Sequence, residues 1–206
     1  MEIEILPLGQ LQTNCYIVHH QKKGLIIDPS EEAPTINDTL KRLEIEPQAI
    51  LLTHAHFDHI GALEEIRTTY NIPVYMHEAE KEWLSDASLN RSAAFIGNEV
   101  TASPPDHLIS EGEITIADFN IEVRESPGHS PGGLLFIFHN QQWVVGGDSL
   151  FYESIGRTDL PGGSFEQLKE SIQSKFFSLP DSYTVFPGHG RKTTIGHEKE
   201  FNPFVR

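Results

Sequence analysis

Apolar residues along this chain fall into short bursts that either alternate with polar ones or run on for a few positions. That spacing predicts strands at residues 3–6, 14–20 and 24–28, the last two joined by a polar turn at 21–24. Residues 33–43 place Ile36, Leu40 and Leu43 on one helical face, and 49–53 form a continuous apolar strand. A helix at 59–70 aligns Ile60, Leu63 and Ile66; a strand at 73–76 and a short helix at 78–84 follow. Residues 85–105 are polar and unpatterned, as a loop or lid would be. Strands resume at 113–116, 121–126, 134–139 and 142–145, before a helix at 165–177 with Leu168, Ile172 and Phe176 aligned, and a last strand at 183–186. The β-runs are too many for a plain doubly wound sheet, whereas two sheets with helices outside absorb them, an α+β arrangement.

No linker-like stretch or internal repeat divides the 206 residues, so one domain over 1–206 is expected. A net charge of −15 works against binding nucleic acid or an anionic membrane surface. The apolar run 134–138 is far shorter than the ~20 residues of a membrane-spanning helix. One cysteine forbids an intrachain disulfide, and the N-terminal residues lack the basic and apolar regions of a signal peptide, so a cytoplasmic protein is expected. The departure from ordinary composition is histidine, of which there are 11.

Four metal-capable side chains crowd into His54-Ala55-His56-Phe57-Asp58-His59, directly after the strand at 49–53. In extended chain His54 and His56 point the same way, while Asp58 and His59 fall where the next helix begins. The pattern suits two adjacent metal ions, one on the alternating histidines and one on Asp58 and His59; a helix cap would not need three histidines. Three further elements each follow a strand: Pro127-Gly128-His129, Gly146-Gly147-Asp148 and Pro187-Gly188-His189-Gly190. Imidazole and carboxylate donors without thiolate suit zinc, with iron or manganese as alternatives.

A competing motif, Gly128-His129-Ser130-Pro131-Gly132, matches the G-x-S-x-G elbow of serine hydrolases. That elbow draws an oxyanion donor from the backbone N–H after the serine, and Pro131 has none, so Ser130 reads as structural. Cys15, among strand residues, reads as a small buried side chain. The remaining histidines, His19, His20, His77, His107, His139 and His197, are expected at the surface. Asp28 is either a partner that orients a ligand histidine or a turn aspartate.

Together these residues resemble the metallo-β-lactamase superfamily, and within it the glyoxalase II-like thioesterases. The similarity runs from Leu11-Gln12-Thr13-Asn14-Cys15-Tyr16 to Asn202-Pro203-Phe204. It implies a four-layer αββα sandwich of two mixed sheets, with the site at one edge. By the family's motifs His54, His56 and His129 would hold one metal, Asp58, His59 and His189 a second, and Asp148 would bridge them. The C-terminal helical substrate domain of glyoxalase II is not expected in this chain. The loop Gly156-Arg157-Thr158-Asp159-Leu160 puts Arg157 where that enzyme has a lysine; it would clamp a substrate carboxylate or pair with Asp159.

The leading expectation is therefore a dinuclear metal-dependent hydrolase of hydroxyacyl-thiol esters, with a small-molecule thioester as its partner. A thiolate leaves with a parent pKa near ~8.5 and needs little help from an acid. Asp58 is the candidate for taking a proton during attack. The alternative is a persulfide dioxygenase with one Fe(II) on His54, His129 and Asp148, to which the loop 156–160 is also similar. The presence of Asp58, His59 and His189 favours two metals. A structural metal module lacks the usual cysteines, and a nuclease is disfavoured by charge.

Overall fold

The computed structural model describes residues 1–205, and its chain contacts divide it into two compact units, Met1–Ile109 and the chain from Ser110 onward. The first unit opens with β1 (Glu2–Leu8), β2 (Thr13–His20) and β3 (Lys23–Ile27), followed by α1 (Ala33–Arg42) and β4 (Glu46–Leu51). It continues with α2 (Phe57–Ile60), α3 (Leu63–Tyr70), β5 (Val74–Met76), a 3₁₀ segment (Glu78–Leu84), α4 (Ser92–Phe95) and β6 (His107–Leu108). Its six strands form one mixed sheet in chain order, antiparallel from β1 to β3 and parallel from β3 to β6. The apolar residues 25–27 of β3 and 49–51 of β4 are buried throughout, as in strands covered on both faces. On one face Ile17, Ile26, Ile50 and Leu52 pack with Ile36 and Leu40 of α1 and Leu63 and Ile66 of α3.

The second unit holds β7 (Gly112–Ile116), β8 (Phe119–Glu125), β9 (Leu134–Phe138), β10 (Trp143–Gly147), the two-residue strands β11 (Leu150–Phe151) and β12 (Ser154–Ile155), and α5 (Phe165–Ser171). The chain ends through β13 (Thr184–Pro187), β14 (Thr193–Thr194) and α6 (Ile195–Phe201). Its sheet runs β14-β13-β10-β9-β8-β7, antiparallel except for the parallel pair β10 and β13, while β11 and β12 make a separate hairpin. Leu135, Ile137, Val144 and Val185 pack with Leu168, Ile172, Phe176 and Ile195. The expected α+β class with two mixed sheets is thus present. Among the described residues, no helix is long and apolar enough to cross a membrane.

The short strands β6, β11, β12 and β14 and the helix α6 are not expected from the sequence, and three expected elements take another form. The helix expected at 59–70 is two helices, because Ala62 N–H bonds Pro29 C=O at 3.0 Å instead of continuing a helical ladder. Gly61 permits that approach, since a Cβ there would lie 2.2 Å from Ser30 C=O. The helix expected at 165–177 widens into a π turn over Ile172–Phe176, which keeps Ile172 and Phe176 in the core. The stretch 85–105 is neither plain loop nor unanchored. Buried Asn90 donates to the carbonyls of Trp83 (2.9 Å) and Val100 (2.7 Å), and Ser92 Oγ accepts from Val100 N–H at 3.0 Å.

Candidate metal centre

In the first unit the chain leaves β4, runs extended to His56 (φ −66°, ψ 149°) and enters α2 there. His54 and His56 thus sit on extended backbone, and Asp58 and His59 in the first helical turn. All four are buried, His59 completely. The ring centroids of His54 and His56 lie 4.9 Å apart, and those of His54 and His59 4.1 Å. Asp58 Oδ2 stands 3.5 Å from His59 Nε2 and accepts a hydrogen bond from Thr13 Oγ1 at 2.8 Å.

The hydrogen bonds behind these rings decide which nitrogen each offers. Asp28 is the anchor. It adopts a left-handed conformation (φ 52°), which aspartate tolerates, just past β3. Its carboxylate accepts from Thr53 N–H (2.7 Å), from Thr53 Oγ1–H (2.6 Å) and from His59 Nδ1–H (2.9 Å). Because the Thr53 hydroxyl proton goes to Asp28, its oxygen accepts from His54 Nδ1–H at 3.1 Å. His54 and His59 therefore both present a lone pair at Nε2, the tautomer a metal requires. The Nε2 atoms of His54, His56 and His59 are all shielded from solvent. Fully buried Glu80 accepts from Ala55 N–H at 2.7 Å, pinning the backbone between the two alternating histidines.

In the second unit His129 follows β8, Asp148 follows β10 and His189 follows β13. The parallel pairing of β10 with β13 brings the last two turns side by side, with Gly188 N–H donating to Gly147 C=O at 2.7 Å. Asp148 Oδ2 lies 3.6 Å from His129 Nε2 and 3.4 Å from His189 Nε2. His129 Nδ1–H donates to Arg157 C=O at 2.8 Å, so this ring too offers Nε2. The loop that supplies that carbonyl passes close behind Asp148. A Cβ on Gly156 would lie 1.8 Å from Asp148 C=O and 3.1 Å from His129 Nδ1.

Both half-sets fit a divalent ion. Ligand atoms at metal–ligand distances of about 2.0–2.1 Å on a tetrahedron stand about 3.4 Å from each other. The Asp58–His59, Asp148–His129 and Asp148–His189 separations of 3.5, 3.6 and 3.4 Å all match that edge. The donors are imidazole and carboxylate, and the lone thiol takes no part: Cys15 is fully buried, and burial pushes its pKa up.

Other candidates resolve as follows. Ser130 is buried, and among the described residues its hydroxyl makes no hydrogen bond, so it lacks the histidine partner a nucleophilic serine requires. Arg157 reaches Asp159 with two hydrogen bonds of 2.8 Å, and the guanidinium holds that carboxyl down to about 2. Of the histidines expected at the surface, His19 is buried, at 8% exposure. Thr13, Thr53 and Glu80, which bond to the candidate ligands or their backbone, carry no sequence signal, since their partners lie on other elements or on the backbone.

The first unit also has a cavity of about 680 Å³ beside α2, lined by Leu11, Phe57, Phe95, Ile96 and Val100, with Glu31 at its wall. Burial, then the nearby Glu32 and Asp58 charges, raises the Glu31 carboxyl above its ordinary value. Leu11, Phe95 and Ile96 are exposed.

The chain matches the metallo-beta-lactamase superfamily model over residues 8–189. It is 48% identical to a probable metallo-hydrolase, YqgX, of Bacillus subtilis, over 97% of this chain and 95% of the relative. It is 36% identical to the hydroxyacylglutathione hydrolase GloC of Haemophilus influenzae, over 100% of this chain and 98% of the relative. Among solved structures, BLEG-1 B3 metallo-beta-lactamase superposes with a TM-score of 0.97 at 44% identity, covering 99% of both chains. TTHA1623 in a di-iron-bound form superposes at 0.89 with 35% identity, covering 98% of this chain and 99% of that one.

Proposed function

Because the chain belongs to the metallo-β-lactamase superfamily, we propose that it is a dinuclear metal-dependent hydrolase acting on hydroxyacyl-thiol esters. In this reading His54, His56 and His129 hold one ion, Asp58, His59 and His189 the other, and Asp148 both. The observation that carries it is that each unit keeps its share of the ligand set at ligand spacing, with the tautomers of His54, His59 and His129 set for coordination. The thioester class is supported by the hydroxyacylglutathione hydrolase relative at 36% identity. The family match runs through both units, which supports one functional domain.

When bound, two divalent ions supply a Lewis acid for the acyl carbonyl and lower the pKa of a water toward ~7. The chain's own residues do the rest. Asp28 and Thr53 hold His59 and His54 in the coordinating tautomer, and the Arg157 carbonyl does so for His129. Thr13 holds one oxygen of Asp58, and Asp58 receives the proton given up by the attacking water. No side chain need protonate the departing thiolate, because its parent pKa of ~8.5 makes it a good leaving group near neutrality. The exposed Leu11, Phe95 and Ile96 beside α2 offer apolar contact to the acyl group. One buried cysteine and a thiol product both suit a cytoplasmic enzyme.

Zinc is the first expectation for both sites, and the di-iron-bound neighbour makes iron the specific competitor. The test is metal analysis of purified protein together with turnover of S-lactoyl thiols. Two metal equivalents and hydrolysis support the reading. One iron, with oxygen consumed on a persulfide, replaces it with the dioxygenase.

A further inference from the structure

We propose that Arg191 reads an oxyanion on the thiol portion of the substrate, using the face of Tyr152 as its platform; this rests on the thioesterase reading above. Arg191 lies two residues beyond His189, across Gly190, whose φ of +75° turns the chain. Its guanidinium carbon sits 3.5 Å above the Tyr152 ring centroid, a cation–π contact that fixes the plane of the group. Among the described residues Arg191 makes no hydrogen bond or ion pair; its charge helps hold the nearby Glu153 carboxyl down, while its planar set of N–H donors stays open. Arg157 is the contrast: its fork is closed on Asp159.

The platform is itself braced. Tyr152 stacks on His197 (4.8 Å, 22°), and His197 packs against Phe201 (4.8 Å). The acidic groups that share this patch are both occupied. Glu153 accepts from His197 Nε2 at 3.0 Å, and its carboxyl lies below its ordinary value beside Tyr152, His197 and Arg191. Buried Glu198 accepts from Thr193 Oγ1, Glu153 N–H and Asn202 Nδ2. The hairpin that carries Tyr152 also places Phe151 against His189, ring centroids 6.1 Å apart. Consecutive aromatic residues thus fix a proposed ligand and, two positions on, a preorganised cation. A guanidinium held this way matches a carboxylate or phosphate bidentately.

The experiment compares S-lactoyl-N-acetylcysteine with its neutral methyl ester, and S-lactoyl-phosphopantetheine with S-lactoyl-pantetheine. In the wild type the anionic member of at least one pair has the lower KM, and the pair that shows it identifies carboxylate or phosphate. Arg191→Ala raises KM about ten- to a hundredfold for that anionic member, with kcat and metal content held, so the preference collapses toward one. Arg191→Lys restores part of it, and Tyr152→Leu loses a smaller share, whereas Lys41→Ala on α1 leaves the preference intact. Equal KM changes on charged and neutral members, or no wild-type preference in either pair, overturn the proposal. If no thioester is hydrolysed, the thioesterase reading fails by itself. Binding of the non-hydrolysable S-propyl thioethers of the same four thiols, by calorimetry, then decides Arg191: an Arg191-dependent gain for the anions upholds it, and its absence overturns it.

Discussion

His59 donates its Nδ1–H to Asp28 at 2.9 Å, with both side chains buried, His59 completely. The same carboxylate takes both donors of Thr53, and Thr53 in turn sets the tautomer of His54. One aspartate, 26 positions before His54 in the chain, therefore orients two of the proposed ligands.

Asp28→Ala should lower metal affinity about ten- to a hundredfold without removing any ligand, the usual effect of losing a residue that orients a metal-binding histidine. Competition with a chromophoric chelator measures it. Unchanged affinity, with folding intact by circular dichroism, would leave Asp28 as a turn residue only.

Asp148→Ala is expected to be the most damaging ligand change, because Asp148 Oδ2 faces both His129 and His189. Metal analysis should show loss from both sites together with turnover. Retention of two tightly held ions would sink the bridging assignment.

Gly156→Ala should destabilise the fold by about 1–3 kcal/mol or more, since the new methyl would meet Asp148 C=O at 1.8 Å. Moving that loop also withdraws the carbonyl that orients His129, so metal affinity should fall along with Tm. Calorimetric unfolding of metal-loaded and chelator-treated protein separates the two effects.

Ser130→Ala should keep turnover within severalfold of the parent. Its hydroxyl makes no hydrogen bond among the described residues, and Pro131 offers no oxyanion donor. A drop of several orders of magnitude at constant metal content would restore the serine-hydrolase reading.

The proposed ligand residues stand out in the sequence because the chemistry that marks them is local. His54, His56, Asp58 and His59 lie within six consecutive positions, and His129, Asp148 and His189 each close a strand on a glycine-bearing turn. The long apolar strands and the helix at 33–43 were legible for a similar reason: burial of one face imposes a period that a short window reveals. What tertiary structure decided has no such window. Asp28, Thr13 and Glu80 gain their roles through hydrogen bonds from separate elements or backbone, and no spacing rule links Thr13 to Asp58. The two-residue strands β6, β11, β12 and β14 are too short to alternate, and exist because a neighbouring strand completes their pairing. The break before α3 comes from a carbonyl at Pro29 that captures the Ala62 N–H, a competitor that helical periodicity does not register. The sequence singles out Arg157 through its loop and gives no signal for Arg191; packing closes the first on Asp159 and lays the second on the face of Tyr152. Residue type and local order specify which groups can bind a metal. Tautomer, orientation and availability depend on partners that only the folded chain brings within hydrogen-bond distance.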